Sequence, residues 1–159
     1  MHPTQLERAV ENLVILIAES NAHTRRLTRT MLTNLGVRSF YEAVDGVAAL
    51  DFVRNVNPDV MLLDWTMPLL DGRQVMRIVR SPGVFPMPNL PIIMLTDVGL
   101  RSRVEEAMLL GAHELLLKPL SPKRLQQRLL GVLLHPRPMI QAGEHYVPLP
   151  RRALDIRDL

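Results

Sequence analysis

Residues 60–72 read VMLLDWTMPLLDG, an apolar run, a single carboxylate at Asp64, then a segment rich in turn formers. The run Asp59–Leu63 shows no polar alternation, which predicts a strand buried on both faces, as strands of a parallel sheet are. Pro68 and Asp71-Gly72 predict a turn, and Val75, Met76 and Val79 within Arg73–Arg80 predict a helix that faces them inward. A strand, a polar residue, a tight loop and a helix together make one βα unit of an α/β domain.

The same unit recurs on both sides. Upstream, LVILIA at Leu13–Ala18 is a continuously apolar strand, followed by a helix from Asn21 or Thr24 to Leu35 with Leu27, Met31, Leu32 and Leu35 on one stripe and Gly36 as its stop. Val37–Val44 predicts a second strand, and Asp45 or Gly46 opens a helix that Asn57-Pro58 ends. Downstream lies a Pro-rich loop, Ser81–Leu90, then a strand at Pro91–Leu95 and a helix from about Leu100 to Leu110. A strand at Glu114–Leu117 follows, and Ser121-Pro122 caps and starts a helix to about Leu134. Five cycles of this kind predict a parallel sheet with helices on both faces, in a domain of residues 13–134. Residues 1–12 form a short extension with weak helical character. Residues 135–159 carry four Pro and no sustained period, so they are expected to be a tail or an arm, docking through Met139, Ile140, Tyr146 and Val147 if it docks at all.

The composition agrees with one soluble globular domain: 159 residues, 47% hydrophobic and 22% charged, with a net charge of +3. Without Cys there is no disulfide framework, cysteine nucleophile or thiolate metal site. The longest apolar runs, Val14–Ala18 and Val60–Leu63, fall far short of the roughly 20 residues of a membrane helix, and MHPTQLERAVEN has no signal-peptide apolar region. A cytoplasmic protein without a membrane role is expected. The five His show no metal-ligand spacing. Of nineteen basic residues only Lys118 and Lys123 are Lys.

Ligands of open parallel sheets bind beyond the carboxyl ends of the strands. There the sequence places Glu19 and Ser20, Asp64, Thr96 and Lys118, each directly after an apolar run. Paired carboxylates suit a hard cation, while a hydroxyl and an ammonium suit phosphoryl oxygens. This is the chemistry of an aspartyl phosphate.

At these residues the sequence resembles the receiver domain of two-component response regulators, over about residues 13 to 134. ILIAESN (15–21), VMLLDWTMPLLDG (60–72), IIMLT (92–96) and GAHELLLKP (111–119) resemble its four motifs in order. The resemblance implies a flavodoxin-like five-stranded sheet of order 2-1-3-4-5. It implies Asp64 as phosphoacceptor, Thr96 and Lys118 as phosphoryl-binding residues, and a Mg2+ site of Glu19, Asp64 and the Thr66 carbonyl, with Ser20 a further candidate. It also implies a cis peptide at Lys118-Pro119. The partners it implies are a histidine kinase or phosphotransfer protein and a downstream protein target, with a second copy of the chain a further candidate.

Three positions depart from the pattern. Ser20 stands where the family has a second acid, so weaker Mg2+ binding is expected. Asp97 stands where a small residue is usual, at the pocket rim. Leu115 replaces the aromatic residue that, with Thr96, couples the site to the output face. Trp65, the only Trp, is expected to lie partly exposed at the pocket mouth.

Plainer readings stand beside these. Glu19 and Thr96 can simply cap helices, and the Arg groups Arg25, Arg26, Arg29 and Arg101, Arg103 read first as solvated faces and second as an anion or nucleotide surface. Arg151-Arg152, after YVPLP, resembles extensions of some single-domain regulators. About 25 residues after the last helix fit no helix-turn-helix, so a DNA-binding or enzymatic output is not expected. The alternatives are a phosphorylation-independent pseudo-receiver scaffold and an Arg-based nucleotide second-messenger effector. An aspartate-nucleophile phosphatase would want a second Asp where Thr66 stands, and a flavin site would want a Ser/Thr/Gly loop after the first strand.

Overall fold

The structure, a computed structural model, describes residues 2, 4–83 and 85–149. Its elements in chain order are α1 (Gln5–Val10), β1 (Val14–Ala18), α2 (Ala22–Asn34), β2 (Ser39–Ala43), α3 (Gly46–Val56), β3 (Val60–Asp64), α4 (Gly72–Val79), β4 (Ile92–Thr96), α5 (Arg101–Leu110), β5 (Glu114–Leu117), α6 (Pro122–Leu134), β6 (Met139–Ala142) and β7 (His145–Pro148). The five expected strands form one parallel sheet in the order β2-β1-β3-β4-β5.

Alternation along each strand splits the core in two. Leu16 and Ala18 of β1, Met61 and Leu63 of β3, Ile92 and Met94 of β4 and Leu115 of β5 face one layer, closed by Val53 of α3, Met76 and Val79 of α4 and Val104 and Ala107 of α5. Ile15 and Ile17, Leu62, Ile93 and Leu95, and Leu116 face the other, closed by Leu32 of α2 and Leu125, Leu129 and Val132 of α6, with Val10 of α1 joining it. Burial on both faces is why the strands carry no polar alternation.

Caps set the helix starts. Asn21, Asp45, Asp71 and Ser121 each accept a backbone N–H of the first turn through the side chain. α5 lacks such a cap: Leu100 holds the position without a side-chain hydrogen bond. Asn57 closes α3 in the left-handed conformation (φ 53°).

Residues 139–148 form an antiparallel hairpin, β6 paired with β7, that turns at Gly143 (φ 67°). The Tyr146 amide donates to the Arg80 carbonyl at 3.0 Å, and Arg137 donates to the His113 carbonyl. Pro148 is buried and Tyr146 and Val147 are half-buried, whereas Ile140 is exposed. The hairpin is thus tied to the domain on its β7 side. Arg151-Arg152 lies outside the described residues. Among the described residues no helix is long and apolar enough to cross a membrane.

Candidate functional site

Asp64 is the last residue of β3, so its side chain emerges at the carboxyl edge, and the loop behind it is drawn tight against its backbone. The Trp65 amide donates to the Leu95 carbonyl at 2.8 Å and the Gly72 amide returns to the Trp65 carbonyl at 2.9 Å. A Cβ on Gly72 would stand 2.5 Å from the Asp64 carbonyl, so the glycine is required by this approach. Leu69 takes φ 68° in the same loop.

Two neighbouring strands bring the partners. Glu19 follows β1 and is buried, and Lys118 follows β5, with a cis bond to Pro119. The Lys118 Nζ lies 2.6 Å from Glu19 Oε1 and 2.9 Å from Asp64 Oδ1. Glu19 Oε2 accepts from the Asn21 amide at 3.2 Å and the Glu19 carbonyl accepts from Arg25 at 2.8 Å, while the cap of α2 is Asn21, whose side chain accepts from the Thr24 amide.

Three charges in one buried triangle shift one another. Burial, reinforced by the hydrogen-bonded Glu19 carboxylate and only partly opposed by Lys118, raises the Asp64 carboxyl to about 6. Burial pushes Glu19 upward too, but its hydrogen bonds to Asp64, Lys118 and the Asn21 amide outweigh that and hold it below the usual carboxylate range. Burial would lower Lys118, yet the two carboxylates raise it. The two acids therefore titrate as a pair rather than independently. Two carboxylates crowded behind a single ammonium offer the oxygen donors a hard divalent cation takes, and such a cation relieves their repulsion. Ser20 lies exposed beside Glu19, and among the described residues no group of three or more acidic, His or Cys side chains gathers. Thr66 is exposed, next after Trp65.

Thr96 ends β4 between these strands and is 1% exposed. Its carbonyl accepts from the Lys118 amide at 2.7 Å, and its Oγ1 accepts from the Val98 amide at 3.1 Å and from Arg103 Nη1 at 2.9 Å. Thr96 therefore does not cap α5.

Trp65 corrects its expectation. It is buried, 6% exposed, as part of the core layer closed by α3, α4 and α5, with the Arg103 guanidinium 4.1 Å over its ring. Arg103 itself belongs to the site rather than to a solvated face. The sequence carried only a faint sign of this, two Arg in an uncapped first helical turn where the helix dipole disfavours them. Asp97 is exposed, and Leu115 is fully buried in the sheet, in register with Met94 of β4. Arg25 and Arg29 both pair with Glu42 of β2, at 3.4 and 2.9 Å, and Arg29 also covers Phe40, while Arg26 stays exposed.

Comparison with known proteins places the chain in one family. The family model of the response regulator receiver domain matches residues 15–130. A chemotaxis protein CheY homolog of Campylobacter jejuni is 32% identical over 120 residues, which is 75% of this chain and 91% of that protein. Chemotaxis protein CheY1 of Helicobacter pylori is also 32% identical over 120 residues, 75% of this chain and 95% of that protein. Among solved structures, the receiver domain of a Pseudomonas aeruginosa sensor histidine kinase, with a magnesium ion coordinated in its active-site cleft, matches with a TM-score of 0.66 and 30% identity, covering 74% of this chain and 94% of that one.

Proposed function

The chain belongs to the response regulator receiver domain family, chemotaxis-regulator-like, and from that membership we propose that it accepts a phosphoryl group on Asp64 from a phosphohistidine donor and signals by protein–protein contact. The observation that carries the reading is the Lys118 ammonium, held against Asp64 and Glu19 at once with the Thr96 hydroxyl on the strand between.

With its carboxyl raised only to about 6, Asp64 is mostly ionised at neutral pH and serves as a nucleophile. An Asp64 oxygen forms the bond to phosphorus, the phosphorus–nitrogen bond of the donor breaks, and the imidazole nitrogen keeps the electron pair. Lys118, a compact ammonium on a flexible stem, moves from carboxylate to phosphoryl oxygen, and Thr96 donates its O–H to another. Glu19, Asp64 and the Thr66 carbonyl would hold Mg2+, which when bound neutralises phosphoryl charge. One acid fewer at Ser20 makes that binding weak. The phosphodonor, a histidine kinase or phosphotransfer protein, would approach over α2 and the loops around Asp64. A downstream target would be met through α5, β5 and α6.

A second reading, a scaffold whose contacts ignore phosphate, is favoured by the departures at Ser20, Asp97 and Leu115. The test is incubation with Mg2+ and acetyl phosphate, followed by intact-mass measurement. Gain of one phosphoryl mass supports phosphoacceptance, and an unchanged mass at every Mg2+ concentration favours the scaffold. The nucleotide-effector reading loses ground because Arg25 and Arg29 are already spent on Glu42.

A further inference from the structure

A threonine hydroxyl has one proton to donate and two lone pairs to accept with. In Thr96 both acceptor directions are filled, by the Val98 amide at 3.1 Å and by Arg103 Nη1 at 2.9 Å. The O–H is therefore turned away from both, and among the described residues no acceptor takes it. This unspent donor sits on a residue that is 1% exposed, on the strand between Asp64 and Lys118.

Arg103 is equally unusual. Among the described residues no carboxylate lies within ion-pair reach of it, and it is held by the Trp65 ring at 4.1 Å. Its place in the first turn of α5 runs against the helix dipole, and that turn lacks a side-chain cap, so helix stability does not account for it. Arg103 links Trp65, the residue after Asp64, to the Thr96 hydroxyl.

We propose that Arg103 is a positioning residue for phosphoryl transfer to Asp64, acting through Thr96. Its charge-assisted hydrogen bond to Oγ1 fixes the hydroxyl rotor and polarises the O–H, so that Thr96 presents a strong, preoriented donor to the phosphoryl oxygen. The Trp65 ring keeps the guanidinium on the acceptor side of Thr96. This rests on Asp64 being the phosphoacceptor.

The full chain is incubated with Mg2+ and acetyl phosphate across a range of donor concentrations, and phosphoryl uptake is followed by intact mass for wild type, Arg103→Ala, Arg103→Gln, Thr96→Ala and Arg103→Ala with Thr96→Ala. Arg103→Ala is expected to slow the saturated rate about tenfold, the scale of one charge-assisted hydrogen bond, with the half-saturating donor concentration unchanged. Arg103→Gln, which keeps a donor for Thr96 without the charge, is expected to fall between Arg103→Ala and wild type. The double variant is expected to be no slower than Thr96→Ala alone, because the two residues act as a unit. An unchanged rate in Arg103→Ala, or single effects that multiply in the double variant, would overturn the role of Arg103 while leaving Asp64 phosphorylation standing. If Arg103→Ala does not fold by circular dichroism, Arg103→Gln decides alone, and a wild-type rate in it overturns the proposal. A wild-type chain that takes up no phosphoryl mass overturns the Asp64 reading and this proposal together.

Discussion

Arg80 places its fully buried guanidinium 3.2 Å from His113 Nδ1, and among the described residues no carboxylate is paired to it. The Ile92 amide points at the same nitrogen from 3.3 Å, so Nδ1 is the acceptor of two N–H donors and the ring is neutral. Burial first, then the charges of Arg80 and Arg137, depress His113 to about 3. In the unfolded chain the ring ionises near its ordinary value, so the folded state holds fewer protons between the two values. This contribution to stability is complete above about pH 6.5 and is lost as the pH falls toward about 3, up to about 3–5 kcal/mol. His113→Asn keeps an acceptor that does not titrate. Its melting temperature is expected to fall less between pH 7 and pH 4 than that of the wild type. Parallel curves would contradict the assignment.

Arg80 also donates through Nε to the Gly111 carbonyl at 3.0 Å and through Nη1 to the Pro88 carbonyl at 2.8 Å, and its own carbonyl takes the Tyr146 amide. Burial lowers its pKa to about 9, the mark of a charge held at a cost that three directed hydrogen bonds offset. Arg80→Met relieves the charge but strands both carbonyls, and a net loss of about 2 kcal/mol is expected in chemical denaturation. Arg80→Met at wild-type stability would show that the hydrogen bonds are not needed.

Truncation after Leu134 removes the hairpin and its ties to Arg80 and His113, while both core layers remain closed by α2 to α6. The shortened chain is expected to fold with a melting temperature lower by several degrees, about 2 kcal/mol in a domain of this size. A truncated chain without a cooperative transition would place the hairpin inside the folding unit.

The βα units were legible because both-face burial writes itself as runs such as VILIA and VMLLD, and because Asn21, Asp45, Asp71 and Ser121 are capping types at the right places. Strand order came from the family resemblance, since periodicity says nothing about which strand lies beside which. Glu19, Asp64, Thr96 and Lys118 were readable as strand-end polar residues, and the structure brings them to one edge. Burial of Trp65 was not readable, because periodicity does not tell that the loop after β3 folds this ring into the core layer and under the Arg103 stem of α5. The hairpin was missed because MIQAGEHYVP alternates weakly and its β7 side is held by Arg80, a residue whose burial no charge pattern suggests.

Ser20 is exposed beside Glu19, at the edge where the two acids converge. Ser20→Asp adds a third carboxylate and is expected to tighten Mg2+ binding about tenfold. Trp65, adjacent in sequence to Asp64, reports the titration by fluorescence. An unchanged midpoint in a folded variant would remove Ser20 from the cation site.

Phosphoacceptance at Asp64 is tested most directly by locating the acyl phosphate. The full chain is treated with Mg2+ and acetyl phosphate, reduced with borohydride, which converts an aspartyl phosphate to homoserine, and digested for peptide mass mapping. Conversion at Asp64 in the wild type, with no converted residue in Asp64→Asn, is the expected result. Conversion at another acid, or none in a wild-type chain shown to be folded and exposed to saturating donor, would contradict the account.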